Sequence, residues 1–216
     1  MGVRRMVILV VALALPTLGH PQSSQQAAAR KDPEQLVQQL RELPASLGPE
    51  ISSNGSIIPQ EAQRRSLYAQ LRELGAGAMP ALAQGLTDPN VQVRRNVALF
   101  LGATAGDWYD AAQPRLDITA CLPALIVALK DSDARVRELA AQAIGEIGPR
   151  AAPAVPSLIA LLAYPDEGSR NTACIGLAGI GPGAKGALPA LQRALTDPSI
   201  DVRRFAQQAI DEIEAP

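Results

Sequence analysis

Two stretches in the second half of the chain place apolar residues at helical spacing. One carries Val136, Ala140, Ala143, Ile144 and Ile147, and the other Val202, Ala206, Ala209, Ile210 and Ile213. Such a stripe predicts a helix that buries one face and leaves the other wet. Each is preceded by a shorter apolar segment opening on proline, a residue suited to the first helical position because its missing N–H has no intrahelical partner there. Between the two lies a polar break, such as Lys130-Asp131-Ser132 or Thr196-Asp197-Pro198, whose Asp is expected to cap the longer helix. Gly148-Pro149 and Gly181-Pro182 end two of the long helices, since glycine accepts the left-handed closing residue and proline cannot continue the helix.

The same unit recurs. MPALAQGLTDPNVQVRRNVALFLG, LPALIVALKDSDARVRELAAQAIGEIGP, VPSLIALLAYPDEGSRNTACIGLAGIGP and LPALQRALTDPSIDVRRFAQQAIDEI align on Pro80, Pro123, Pro156 and Pro189, with separations of 43, 33 and 33. The period is 33, and the ten extra residues fall between Leu101 and Cys121. A less regular first copy has Glu34 to Leu43 as its short helix and Arg64 to Leu74 as its long one. A fixed period of this size is the mark of a stacked helical array. The predicted fold is therefore all-α, an α-solenoid of about five helical hairpins over residues 34–216, with an insertion at 103–116. Ala98, Ala140, Ala173 and Ala206 are read as one small-residue position where neighbouring helices approach.

Composition narrows the picture. Hydrophobic residues make up 47% but aromatics only 3%, a diet for thin layers of Ala, Leu, Ile and Val. Arg4 and Arg5, the apolar run Val7 to Leu15 and the break at Pro16 read as a signal peptide over residues 1–19, with 20–33 as a flexible linker. The expected destination is periplasmic or secreted, with no stable membrane insertion after leader cleavage; an uncleaved N-terminal anchor is the alternative. Removing the leader takes away two arginines and no acid, which leaves net charge −3 against −1 for the whole chain. No basic stripe is present, so nucleic acid is not an expected partner. Cys121 and Cys174 occupy positions where sister copies carry mostly Ala, and they read as small buried filler instead of a disulfide.

These units resemble HEAT repeats, in particular the short variety also found in phycobilin lyase-like proteins. The resemblance rests on Asp eight residues after the proline and Val-Arg five and six after that: Asp88 with Val93-Arg94, Asp131 with Val136-Arg137, Asp197 with Val202-Arg203. It implies a right-handed superhelix. It also implies a ladder in which Asp88, Arg94, Asp131, Arg137, Arg170, Asp197 and Arg203 link adjacent hairpins. The fourth copy departs, with Tyr164 in place of Asp and Ser169 in place of Val, and there Asp166 is the substitute acid.

Chemistry is scarce. The single His, His20, sits beside the expected cleavage site, so no His–Glu iron site of the deoxyhypusine hydroxylase kind and no His-based triad is expected. No cofactor, catalytic residue or metal site is assigned. Asp107, Asp110 and Asp117 are read as solvated turn residues, and the glycines of Gly179-Ile180-Gly181-Pro182-Gly183 as helix terminators.

The expectation is a non-enzymatic scaffold that binds a protein partner, with a tetrapyrrole-handling, phycobilin lyase-like enzyme as the alternative. Two surfaces are candidates. One is the insertion with the only Trp, Trp108, and Tyr109, which either anchors a partner or folds back over the inter-repeat groove. The other is a row along the long helices, Arg65, Arg95, Glu138, Asn171 and Arg204, with Leu99, Gln142, Ile175 and Gln208 one turn on. Its charge is mixed, which implies no electrostatic preference.

Overall fold

The computed structural model describes residues 32–43, 59–106 and 115–215. The leader, the linker to residue 31, the stretch 44–58 and the insertion's Asp107, Trp108, Tyr109 and Asp110 lie outside the described residues.

Ten α-helices and no strands are present among the described residues. α1 (Pro33–Gln39), α3 (Met79–Gly85), α5 (Leu122–Ala128), α7 (Val155–Leu161) and α9 (Leu188–Ala194) are short. α2 (Pro59–Leu74), α4 (Val91–Ala105), α6 (Ala134–Ile147), α8 (Glu167–Ile180) and α10 (Ile200–Glu214) are long. Alternation of short and long gives five hairpins, an α-solenoid. Proline stands in the first turn of every short helix. Gly148 and Gly181, at φ +72° and +64°, close α6 and α8 and hand the chain to 3₁₀ turns that lead into the next hairpin.

The long helices form the tight layer: α6 packs extensively against both α4 and α8, and α8 against α10. The short helices meet their neighbours largely through the 3₁₀ turns. A stack that is close on one side and spaced on the other curves, with its long helices on the inner side. Val136, Ala140, Ile144, Leu177, Val202 and Ala206 are fully buried in one continuous core.

Three expectations are corrected. First, the helix caps are Asn90, Asp133, Asp166 and Ser199, each extended in backbone and accepting from the first turn. Asp88, Asp131 and Asp197 lie two residues too early for that task; each accepts from the N–H of the capping residue at 2.7, 2.9 and 2.9 Å. Second, Ala140 stands three residues after Arg137, so its counterpart three after Arg94 is Val97, not Ala98. The bulkier side chain fits because Gly85 of α3 lies against it: a Cβ there would come within 2.9 Å of Val97 and 2.8 Å of Val37. Third, α4 runs through Ala105, so residues 103–105 are helix and not insertion. The chain rejoins at Leu116, whose N–H donates to the Thr104 carbonyl at 2.9 Å.

The first hairpin is less regular. α1 is followed by a 3₁₀ turn, Leu40–Glu42, that packs on α4. The buried Asn96 amide donates to the Leu40 and Leu43 carbonyls at 3.0 and 2.9 Å, satisfying acceptors at the end of that turn. Tyr68 of α2 meets Phe100 edge to face at 4.9 Å between ring centroids.

Ala140 has no exposed surface and faces the shared core. Replacing it with Asp would bury an unpaired carboxylate at a cost of several, roughly 3–5, kcal/mol. The Ala140→Asp protein should lose its cooperative melt followed by circular dichroism; an unchanged melting temperature would mean that this register is misplaced.

Candidate functional site

At the turn side of the stack, Arg94, Arg137 and Arg170 each serve two hairpins. Arg94 Nη1 donates to the Asp88 and Pro89 carbonyls of its own turn, at 2.9 and 3.2 Å, while Nε and Nη2 grip Asp131 of the next repeat at 2.7 and 3.0 Å. Arg170 repeats the pattern, with Tyr164 and Pro165 at 3.1 and 2.9 Å and Asp197 at 2.8 and 3.0 Å. Arg137 holds the Asp131 and Ser132 carbonyls, reaches Asp166 at 2.5 Å and Ser169 at 3.0 Å, and lies over the Tyr164 ring at 4.8 Å. In the departing fourth copy, then, Asp166 and Ser169 together take the place of the missing acid. Arg203, in the last hairpin, keeps only its own turn carbonyls, Asp197 and Pro198 at 2.7 and 3.0 Å. At the other end Asp88 accepts from Gln38 of α1 at 3.0 Å, and Arg64 pairs with Glu61 of its own helix.

Forked, part-buried ion pairs of this kind are stronger than surface ones because both partners are oriented and little screened. The Arg170 guanidinium beside Asp197, and that of Arg95 beside Asp133, hold those carboxyls below the usual range. Burial pushes Asp166 the other way, but the hydrogen bonds from Ser169 and Arg137 leave it lowered as well.

On the inner side the predicted row divides. Arg95 is committed to Asp133 through Nε and Nη2, at 2.9 and 2.5 Å, forming a further strut between α4 and the next turn. Glu138 accepts from Arg135 at 3.1 Å. Arg204 is exposed, pairs with Asp201 at 3.0 Å and lies over the Phe205 ring at 4.9 Å. Asn171 is half-buried, with its Oδ1 unpartnered. Leu99 is buried.

One turn further along, a groove of about 660 Å³ runs over α6, α8 and α10, lined by Gln142, Gly145, Glu146, Ile175, Ala178, Gly179, Phe205, Gln208 and Glu212. Gln142, Ile175 and Gln208 belong to the predicted row; the glutamates, Phe205 and the glycines do not. Glu146, Gly179 and Glu212 hold the same register position in three successive copies, and the glycine in the middle is what opens the floor. It cannot be otherwise at this spacing: a Cβ on Gly179 would stand 2.5 Å from the Gly145 carbonyl oxygen. A side-chain vacancy created by helix packing leaves no periodic signal, although Glu-x₃₂-Gly-x₃₂-Glu could have been noticed.

Asp117, the described member of the insertion's acid set, pairs with Arg150 at 2.9 Å and accepts from Thr119, contacts that lower its pKa. No group of three or more His, Cys, Asp or Glu placed to hold a metal occurs among the described residues. Cys121 and Cys174 are both free and buried, and desolvation pushes their thiols up to about 11 and about 12. Cys121 Sγ lies 3.6 Å from the Met79 carbonyl oxygen and sulfur, as packing filler between repeats.

The family model for HEAT repeats matches residues 79–178 and 122–211, together more than half of the chain. The chain belongs to the HEAT repeat family. No curated protein matches its sequence. Among solved structures, one engineered protein superposes with a TM-score of 0.55 at 21% identity, over 86% of this chain and 92% of that one. A second gives 0.56 at 23%, over 85% and 81%. The complex of CpcE and CpcF of phycocyanin lyase from Nostoc sp. PCC7120 gives 0.50 at 26%, over 80% of this chain and 69% of that chain. The engineered proteins speak for the fold alone.

The ladder's contribution has a measurable sign. Carboxyls whose folded pKa is depressed stabilise the protein above their unfolded pKa, about 3.9, and that stability is lost as pH falls through the folded value. The melting temperature should therefore drop below about pH 4. Arg170→Met should cost about 2 kcal/mol at neutral pH, since it leaves Asp197 part-buried without its partner, and should flatten part of the acid slope. A Met variant with wild-type melts at pH 7 and pH 3 would show that the rung is not stabilising.

Proposed function

We propose that this HEAT repeat protein is a non-enzymatic scaffold, exported from the cytoplasm, that holds a protein partner on the inner face of its long helices and presents Trp108 and Tyr109 of the insertion at the edge of that face. The observation that carries the reading is the groove over α6, α8 and α10. Its lining includes Ile175, the half-exposed Phe205 ring and the exposed Gln208, which offer a partner apolar and polar contact. Three helices supplying one row each is a geometry suited to a peptide or helix lying across them. The insertion springs from the end of α4 and returns at Arg115; residues from both of its ends line a hollow together with Glu146, which also borders the groove. Aromatic side chains there would add the kind of anchor that dominates interfaces. Export rests on the leader pattern of residues 1–19. Among the described residues no helix is long and apolar enough to cross a membrane.

A second reading follows from the likeness to the phycocyanin lyase complex: an inner face that handles a tetrapyrrole. One experiment separates the two. Wild-type protein, a Phe205→Ala/Ile175→Ala variant and a Trp108→Ala/Tyr109→Ala variant are crosslinked in the cell envelope and their partners quantified. The scaffold reading expects a discrete protein adduct that falls at least about five-fold in the groove variant, the loss of roughly 1 kcal/mol or more typical of an interface anchor, and also falls in the insertion variant. Equal recovery from all three proteins would overturn it, and visible-range pigment absorbance carried through purification would favour the tetrapyrrole reading.

A further inference from the structure

We propose that the open end of the stack, beyond α10, binds a second copy of this chain, the two α10 helices packing antiparallel about a two-fold axis. Ile200, Arg203, Gln207, Asp211 and Glu214 follow one another at steps of three and four residues and so form one stripe along α10. In earlier copies these positions face the following repeat. Glu167 accepts from Ser199 at 2.7 Å, Arg170 grips Asp197, and Cys174 is fully buried. A Cβ on Gly145 or Gly148 would meet the α8 backbone, at 3.3 and 3.8 Å. On α10, the last long helix, Ile200 is 70% exposed, Gln207, Asp211 and Glu214 are exposed, and Arg203 is half-buried.

A further hairpin in the stacking orientation does not fit that stripe. Where inner helices carry Ala141, Gly145 and Gly148, or Cys174, Ala178 and Gly181, α10 carries Gln207, Asp211 and Glu214, too large for the close spacing of α6 and α8. Arg203, however, has room for an acid. Its Nη1 donates to the Asp197 and Pro198 carbonyls as Arg94 and Arg170 do in their own turns, which directs Nε and Nη2 to the side where those arginines hold a carboxylate. Neither nitrogen has a partner among the described residues. Asp197 is taken by the Arg170 fork and Asp201 pairs with Arg204. Asp211 stands eight residues on, about 12 Å along the helix, and is out of reach within one chain. Reversing the stripe about Gln207 sets Arg203 opposite Asp211 of the second copy, twice in one complex. Asp211 Oδ1 accepts from Gln207 at 2.9 Å, which leaves Oδ2 for the fork. The same reversal lays Glu214 over the first turn of the facing helix, where its positive end favours an acid. A stripe with its cation in the first half and its acids in the second matches itself only in this antiparallel, isologous arrangement.

Sedimentation velocity on the full chain tests this from micromolar to millimolar concentration, where the wild type should pass from monomer to dimer and no further. Arg203→Glu and Asp211→Arg should each weaken the dimer at least about five-fold, because each sets like charges face to face. The double variant Arg203→Glu/Asp211→Arg should restore it, since the exchanged charges meet across the axis. Asp211→Arg alters only an exposed side chain, so its melting curve should stay that of the wild type, which separates loss of the interface from loss of the fold. Glu42→Lys, on an exposed residue of the first hairpin, should leave the dimer unchanged. A wild type that stays monomeric, assembly beyond the dimer, undiminished dimers in Asp211→Arg, or a folded double variant that remains monomeric would each overturn the proposal. The dimer is independent of the inner groove: if it fails while the envelope crosslink still depends on Phe205 and Ile175, the scaffold reading stands.

Discussion

Every long helix in this stack has an apolar face too broad for one partner, and the structure follows from sharing it. α6 buries Ala140 and Ile144 between α4 and α8, so the core of one hairpin is completed only by its neighbours. A hairpin of two helices, one only seven residues long, is too small to exclude water by itself. Stability must then rise with the number of repeats. α10 keeps Arg204, Gln207, Asp211 and Glu214 exposed while it buries Val202, Ala206, Ala209 and Ile213.

Apolar burial alone does not fix which repeat residue meets which, because Ala, Val and Leu surfaces can slide. The arginines supply the register. Arg94, Arg137 and Arg170 each tie the two carbonyls of their own turn and an acid of the following one, so the angle within a hairpin and the step between hairpins are set by the same guanidinium. The planar fork of arginine makes this possible; a lysine, as a point charge, would not reach both partners with directed bonds. The fourth copy shows that the constraint is geometric: Tyr164 replaces the acid, and Asp166 with Ser169 restores the contact from two residues further along.

How much of this was legible depends on how far each feature extends along the chain. The period, the order of short and long helices, the glycine stops at Gly148 and Gly181 and the Arg–Asp ladder all recur, and recurrence makes them readable. Errors arose where one copy differs or where two residues compete for one task. Asp131 and Asp133 are both able to cap, and only the extended backbone at Asp133 decides between them. Val97 was hidden because the compensating Gly85 lies on another helix. The inner groove was half read: Gln142, Ile175 and Gln208 follow the period, whereas Gly179 contributes by having no side chain.

That last point separates the parts of the surface devoted to stacking from those left over. Arg95 looks like a surface cation in sequence, yet it is spent on Asp133. Phe205 looks like core, yet it stands half-exposed at the groove with its register mates Leu139 and Thr172 buried. In a repeat array, copies that keep the small inward residues preserve the stack, and function is free to enter only at positions whose substitution the neighbours do not feel. The long-helix position of Glu146, Gly179 and Glu212 fails that condition at its middle member, where even a methyl group would strike the α6 backbone. A channel floored by that glycine contact is thus the arrangement this stack can hold without loosening α6 from α8.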